Sequence, residues 1–307
     1  MKASGIGGQA VLEGVMMQNR DRYAVSVRKP DGTIQTKVEK VQDSRAVSTM
    51  KRFPILRGVI SFLNSLILGM TTLSFSASFY EDEDGNEQEL TKGELTLTLA
   101  VSILLAVGIF MVLPYALSLL FQKFVTNITV LSLIEGAIRM VIFLAYVWAI
   151  SLTKDIRRVY MYHGAEHKCI NCVEHGMPLS VENVQKSSRF HRRCGTSFLL
   201  IVMVISILVF ACIRTPSPIM RLVLRLLLVP VVAGLSYEAI RFSGKTENKL
   251  ALALTQPGIW LQHLTTKEPE DDMVEVAIAS VEAVFDWEGF LAGKDASSCF
   301  PKEVEAA

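Results

Sequence analysis

The sequence predicts a mainly α-helical, multi-pass membrane protein with a small N-terminal β element and a helical C-terminal tail. Three observations predict it. Half of the 307 residues are hydrophobic and mean hydropathy is +0.37, too apolar for an ordinary soluble domain. Several nearly uncharged runs are long enough to cross a bilayer of about 30 Å, which takes roughly 20 helical residues. Ahead of them, apolar and polar residues alternate on both sides of a Lys29-Pro30-Asp31-Gly32 turn.

Residues 1–52 are polar enough to be soluble. YAVSVR and TIQTKVEKV, joined by KPDG, predict a β-hairpin from Tyr23 to Val41, and the preceding QAVLEGVMM reads as a short helix or a third strand. The N-terminal stretch has one lysine and no apolar core, so no cleaved signal is expected. Four apolar runs are expected to span: Leu95–Phe121, Thr129–Leu152, Thr196–Ile213 and Ile219–Ile240. A fifth, Phe53–Phe79, carries Arg57, Asn64 and many serines and threonines. A charge at the bilayer centre costs at least about 2.5 kcal/mol, so residues 53–79 are expected to be interfacial, re-entrant or spanning. The membrane domain covers 95–240 and includes a polar segment, 153–195.

The tail, 241–307, contains TQPGIWLQHL, in which Pro257-Gly258 is expected to end a helix. LTTKEPEDDMVEVAIASVEAVF begins another. Pro269 and the acidic residues mark its start, and Val274, Ile278, Val281 and Phe285 share one face. VLEGV, ILRGV and LIEGA resemble one another, but three matches this short do not define a repeat.

Charge sets the expected topology. Residues 1–52 hold ten Lys/Arg and residues 153–195 hold eight. Four spans place both segments and the tail on the cytosolic face of the membrane, as the positive-inside rule favours. The acidic loop EDEDGNEQE would join them, and Lys123, Arg214, Arg221 and Arg225 would stand on the other face. The net charge of +1 argues against a nucleic-acid partner. The five cysteines are an odd number and Cys212 lies in an apolar run, which is no disulfide framework and suits a reducing compartment.

The chemistry-bearing string is HGAEHKCINCVEH, residues 163–175. His163 and His167 are spaced i, i+4, so one helix face can bring both imidazoles to one ion. Glu166 beside them is placed to act on a metal-bound water, as in the H-x-x-E-H metalloprotease motif. HRRCG follows, with His191 and Cys194 at i, i+3, just before the third span. Three nitrogens and a thiolate suit tetrahedral Zn2+. Cys169 and Cys172 are additional metal or thiol candidates; a redox role would need a thioredoxin-like setting that the chain lacks. Glu135 and Arg139, also i, i+4, are expected to pair inside a span. Arg57, Arg225 and Glu238 are further charges at membrane or interfacial depth.

GGQAVLEGVMM, RKPDG, EGAIRMVIFLAY, YHGAEHK, HRRCGTSF and LTTKEPEDDMVEVAIA, in that order, resemble the YqhQ family of bacterial membrane proteins. The resemblance runs from about Gly7 to Val284. It implies a metal-dependent enzyme with no stated substrate, and His163, Glu166, His167, His191 and Cys194 as the shared polar residues. Cys172 more often belongs to the family pattern than Cys169. Met17-Gln18-Asn19 stands where the family usually reads Met-Arg-Gly-Pro.

Two functions compete. One is a zinc-dependent membrane hydrolase with Glu166 as base, acting at the cytosolic face on a peptide bond or a lipid-linked substrate. The other is a scaffold or assembly protein whose four-ligand metal site is structural. A transporter is a third class, though the repeats and paired broken helices expected of one are missing. The expected partners are the bilayer, such a substrate and, in an oligomer, further copies of the chain.

Overall fold

The computed structural model describes residues 3–41, 47, 50–80, 92–213, 215, 217–243 and 249–301. The loop EDEDGNEQE and Arg214, both weighed above for topology, lie outside them.

The N-terminal element is a four-stranded antiparallel meander in the order β1-β2-β3-β4, made of Gly7–Val11, Gly14–Asn19, Arg22–Arg28 and Ile34–Lys40. The KPDG hairpin forms as expected, with Arg28 opposite Ile34. QAVLEGVMM is neither a helix nor one strand: it is a complete hairpin, with Val11 opposite Gly14. Its turn carries no Asn-Gly signal. Instead Glu13 takes φ +49°. That left-handed conformation is held by Arg158, which donates twice to the Glu13 carboxylate, and by the Tyr162 hydroxyl at 3.1 Å.

Helices form over every apolar run. They are α1 (Pro54–Ala77), α2 (Lys92–Val107), a π-helical turn (Gly108–Val112) leading into α3 (Leu113–Leu119), α4 (Ile128–Ile150), α7 (Gly195–Ala211) and α8 (Pro218–Ser243). The polar segment forms α5 (Lys154–Glu174) and α6 (Val181–Lys186). The tail forms α9 (Lys249–Thr265), α10 (Asp271–Glu282) and α11 (Trp287–Leu291). Among the described residues, four helices are long and apolar enough to cross a membrane: Pro54–Ala77, Thr96–Leu119, Ile128–Ile150 and Ile219–Phe242. By that measure α1 replaces α7, which has 17 residues and packs against α4, α8 and α9.

Pro257-Gly258 does not end a helix, contrary to expectation; α9 runs through it. Packing explains this. A Cβ at position 258 would lie 2.4 Å from Ser197 Oγ, so the glycine lets α9 close onto the first turn of α7.

Two bodies result. Residues from the sheet, α5, α6, α10 and α11 share one apolar core, which includes Val15, Ala24, Tyr162, Ile170, Val276 and Phe285. Val274 and Val281 of α10 are buried in it, Ile278 is partly buried, and Phe285, expected on the same helix face, is buried just beyond the helix end at Glu282. The N-terminal sheet, the His/Cys segment and the tail therefore pack as one unit. The remaining helices form an apolar layer beneath it. Helix α1 joins the two. Its first turns pack on α8, where Gly58 meets Gly234 and Arg57 forms a bidentate pair with Glu238. Its last turns pack on the sheet, where Gln9 donates to Thr72 at 3.0 Å and the Leu12 amide donates to Ser76 at 3.2 Å.

Candidate metal centre

Helix α5 starts at the end of the apolar layer and drives into the soluble body; every residue from Gly164 to Glu174 is buried. Gly164 permits this. A Cβ there would lie 2.0 Å from the Lys267 carbonyl oxygen. The Lys267 amide itself donates to the Tyr160 carbonyl at 2.8 Å, so the chain leaving α9 lies directly against α5.

His163 and His167 sit one turn apart with ring centroids 4.4 Å from each other. Cys194 comes from a different element. It is the N-cap of α7, where its Sγ accepts the Thr196 amide at 3.4 Å and stands 3.2 Å from His163 Nε2. One donor atom from each of His163, His167 and Cys194 lies within 4.8 Å of the other two. Both imidazoles are oriented from behind. The Nδ1–H of His163 donates to the Thr265 carbonyl at 2.8 Å, and that of His167 to the Arg189 carbonyl at 2.6 Å. Each Nε2 is then left with its lone pair facing the group, the arrangement found behind metal-binding histidines. His167 Nε2 is buried without a hydrogen-bond partner. Burial, with His163 nearby, pushes the His167 imidazolium pKa down, with Cys194 and the Arg189 carbonyl opposing.

Glu166 is buried beside them and accepts the backbone N–H of Gly8, while its Oε2 has no partner. Burial pushes its carboxyl pKa up, with His163, His191 and the Gly8 amide opposing. Gly8 must lack a side chain, because a Cβ there would lie 2.3 Å from the Met16 carbonyl oxygen and 3.2 Å from the Glu166 carboxyl carbon. The Gly-rich start of the chain thus supplies one wall of the site.

His191 is placed differently from the other candidates. Its amide donates to Gln262 Oε1 at 2.9 Å, and its carbonyl accepts Gln262 Nε2 at 2.7 Å. Its ring lies 5.7 Å from that of His167, but its Nε2 faces Glu174 Oε2 at 3.5 Å. Glu174 also accepts the Ser4 amide at 2.8 Å, the Ser4 hydroxyl at 2.7 Å and Arg193. Burial opposes its charge, but His191, Arg193 and Ser4 outweigh this and hold its pKa at about 2. Cys169 and Cys172 stand outside the three-donor group, in the apolar core. Burial raises both thiol pKa values, and the Cys172 thiol points at the Pro178 carbonyl, 3.4 Å away. Glu135 and Arg139 pair at 2.8 Å within α4, remote from this centre.

Sequence reasoning missed Glu174, Gly8 and Gln262. Glu174 had a signal: it lies on the helical face of His163 and His167, two turns beyond the latter. Gln262 was a polar residue inside an apolar string. Gly8 had none, since its role depends on a strand pairing that local pattern did not reveal.

The fold joins a mainly helical body, with helices long and apolar enough to cross a membrane, to a sheet-and-helix cap, and a His/His/Cys donor group lies at the seam between the two. The chain belongs to the DUF1385 family, "Protein of unknown function (DUF1385)", whose model matches residues 53–287. It is similar to "Uncharacterized protein YqhQ" of Bacillus subtilis (strain 168), with 36% identity over 286 residues, covering 89% of this chain and 90% of that protein. No solved structure matches.

Proposed function

We propose that the protein is a zinc-dependent hydrolase of the bacterial cytoplasmic membrane, working at the cytosolic face. One observation carries this reading. His163, His167 and Cys194 form a three-donor group, and the buried, unpartnered carboxylate oxygen of Glu166 stands next to it. Zinc held by three protein ligands supplies a Lewis acid with a fourth position open to water or substrate. His163 and His167 present their Nε2 atoms and Cys194 its thiolate. Glu166 accepts a proton from the attacking water and returns it to the leaving group. Water oxygen bonds to the carbonyl or phosphoryl centre as the bond to that group breaks. Peptide bonds and lipid-linked esters both suit a site at this depth.

The topology follows from parity. The sheet precedes α1, and α5 follows α4, yet both pack in one body. An even number of crossings must separate them. Helices α2–α3 and α4 supply two, so α1 lies along the interface, with Leu66, Ile67 and Leu73 facing lipid and Arg57, Thr72 and Ser76 facing protein.

A structural zinc site is the second reading. It is favoured because Cys194 caps α7 while the histidines belong to α5, so an ion would tie the two bodies together. Metal content and restoration of a null strain, measured on Glu166→Gln and Cys194→Ser, separate the two readings. Catalysis predicts about one zinc per chain and no restoration for Glu166→Gln, and zinc loss for Cys194→Ser. Restoration by Glu166→Gln would favour the structural site, and absence of zinc from the wild type would overturn both.

A further inference from the structure

A second polar centre lies at the opposite end of the helical layer. Residues 95–153 and 195–237 contain one carboxylate, Glu135, against Lys123, Arg139, Arg214, Arg221 and Arg225. Two of these arginines, Arg139 and Arg225, bond to it, and a third, Arg221, stands one turn from Arg225 on α8. Glu135 Oε1 accepts Arg139 Nη2 at 2.8 Å and Arg225 Nη1 at 2.5 Å. Arg139 is otherwise satisfied. Its Nε donates at 2.8 Å to the Phe110 carbonyl in the π-helical turn, and its Nη1 donates to Ser206. Arg225 and Arg221 are not. Arg225 is 1% exposed, and the Nε of each is buried without a partner.

The two stand one turn apart on α8, with Arg221 nearer the helix start, and both guanidinium groups lie over the ring of Tyr115, at 5.9 and 5.5 Å. Arg221 Nη2 donates to the Thr215 carbonyl in the connection from α7. Together they form a ladder from the α7–α8 connection inward to Glu135. One carboxylate cannot balance three buried guanidinium groups, and an uncompensated charge at this depth is costly.

We propose that this ladder binds a phosphate-type anion, entering from the end of the bundle opposite the His/Cys centre. Guanidinium forks match phosphate oxygens in pairs, and the free Nε atoms of Arg221 and Arg225 supply the donors. A phospholipid headgroup and free phosphate share this chemistry.

The test uses full-length protein, delipidated in uncharged detergent. It is titrated separately with inorganic phosphate, short-chain phosphatidylglycerol and diacylglycerol, with native mass spectrometry and thermal unfolding as readouts. Saturable binding and stabilisation are expected from a phosphate-bearing probe and not from diacylglycerol. Arg221→Gln, which leaves the Glu135–Arg225 pair intact, should weaken binding roughly tenfold, while Lys123→Gln should not. A response to phosphatidylglycerol alone identifies a headgroup, and an equal response to inorganic phosphate identifies the free anion. Absence of binding by either probe, or equal losses in Arg221→Gln and Lys123→Gln, would overturn the proposal.

Discussion

The soluble body and the helical layer use the same apolar residues to opposite ends. In the body Val276, Phe285 and Ile170 are at most 1% exposed, whereas in the layer Leu104 and Leu227 are 71% and 68% exposed. The body folds by hiding apolar surface from water; the layer turns its apolar side chains outward, on helices long and apolar enough to cross a membrane. Their polar chemistry divides the same way. In the cap, backbone amides reach both buried acids, Gly8 to Glu166 and Ser4 to Glu174, while in the layer Glu135 meets two arginine side chains. The three-donor group belongs to the cap and takes only Cys194 from the layer.

Small substitutions at close approaches sharpen this contrast and carry the largest expected effect. Gly164→Val drives a side chain into the Lys267 carbonyl and should abolish the cap, with no folded protein recovered after extraction. Gly108→Val, in the layer, meets nothing within 4 Å and should change the unfolding midpoint little. Equal damage from both would mean that the close approach of the Lys267 carbonyl does not limit position 164 as described.

Metal retention comes next. His163→Ala and Cys194→Ser should each lower zinc content of the purified protein by about tenfold or more. Cys169→Ser and Cys172→Ser should leave zinc unchanged, because neither thiol belongs to the three-donor group.

The readable and hidden parts of the fold divide by the range of the forces involved. Local periodicity marked the apolar helices, the KPDG hairpin and the α10 stripe, and i, i+4 spacing marked His163 and His167. Three features escaped it because distant partners create them. The Leu12-Glu13 turn depends on Arg158, α9 continues through Pro257 because Ser197 needs Gly258 to be small, and His191 turns to Glu174, which Ser4 helps hold. The third donor, Cys194, was visible as a residue, but its approach to His163 depends on α7 starting beside α5.

Acid should act on the cap through Glu174. Its pKa is about 2 folded, against an ordinary 4.5, so its contribution is complete above about pH 4.5 and is lost as pH falls toward 2. Glu174→Gln should flatten unfolding midpoint against pH across that window. An unchanged slope would remove Glu174 from the account.

The smallest effect should come from α1. Ile67 is 64% exposed, and Ile67→Asp should leave detergent-solubilised protein as stable as the wild type while weakening its reconstitution into vesicles. Normal reconstitution would mean that this face does not meet lipid.

The most direct test of the central claim is zinc-edge X-ray absorption on the purified full-length protein. The account predicts one sulfur at about 2.3 Å and nitrogen or oxygen neighbours at about 2.0–2.1 Å, with the sulfur lost in Cys194→Ser. A shell with two sulfurs, or one without sulfur, would contradict it.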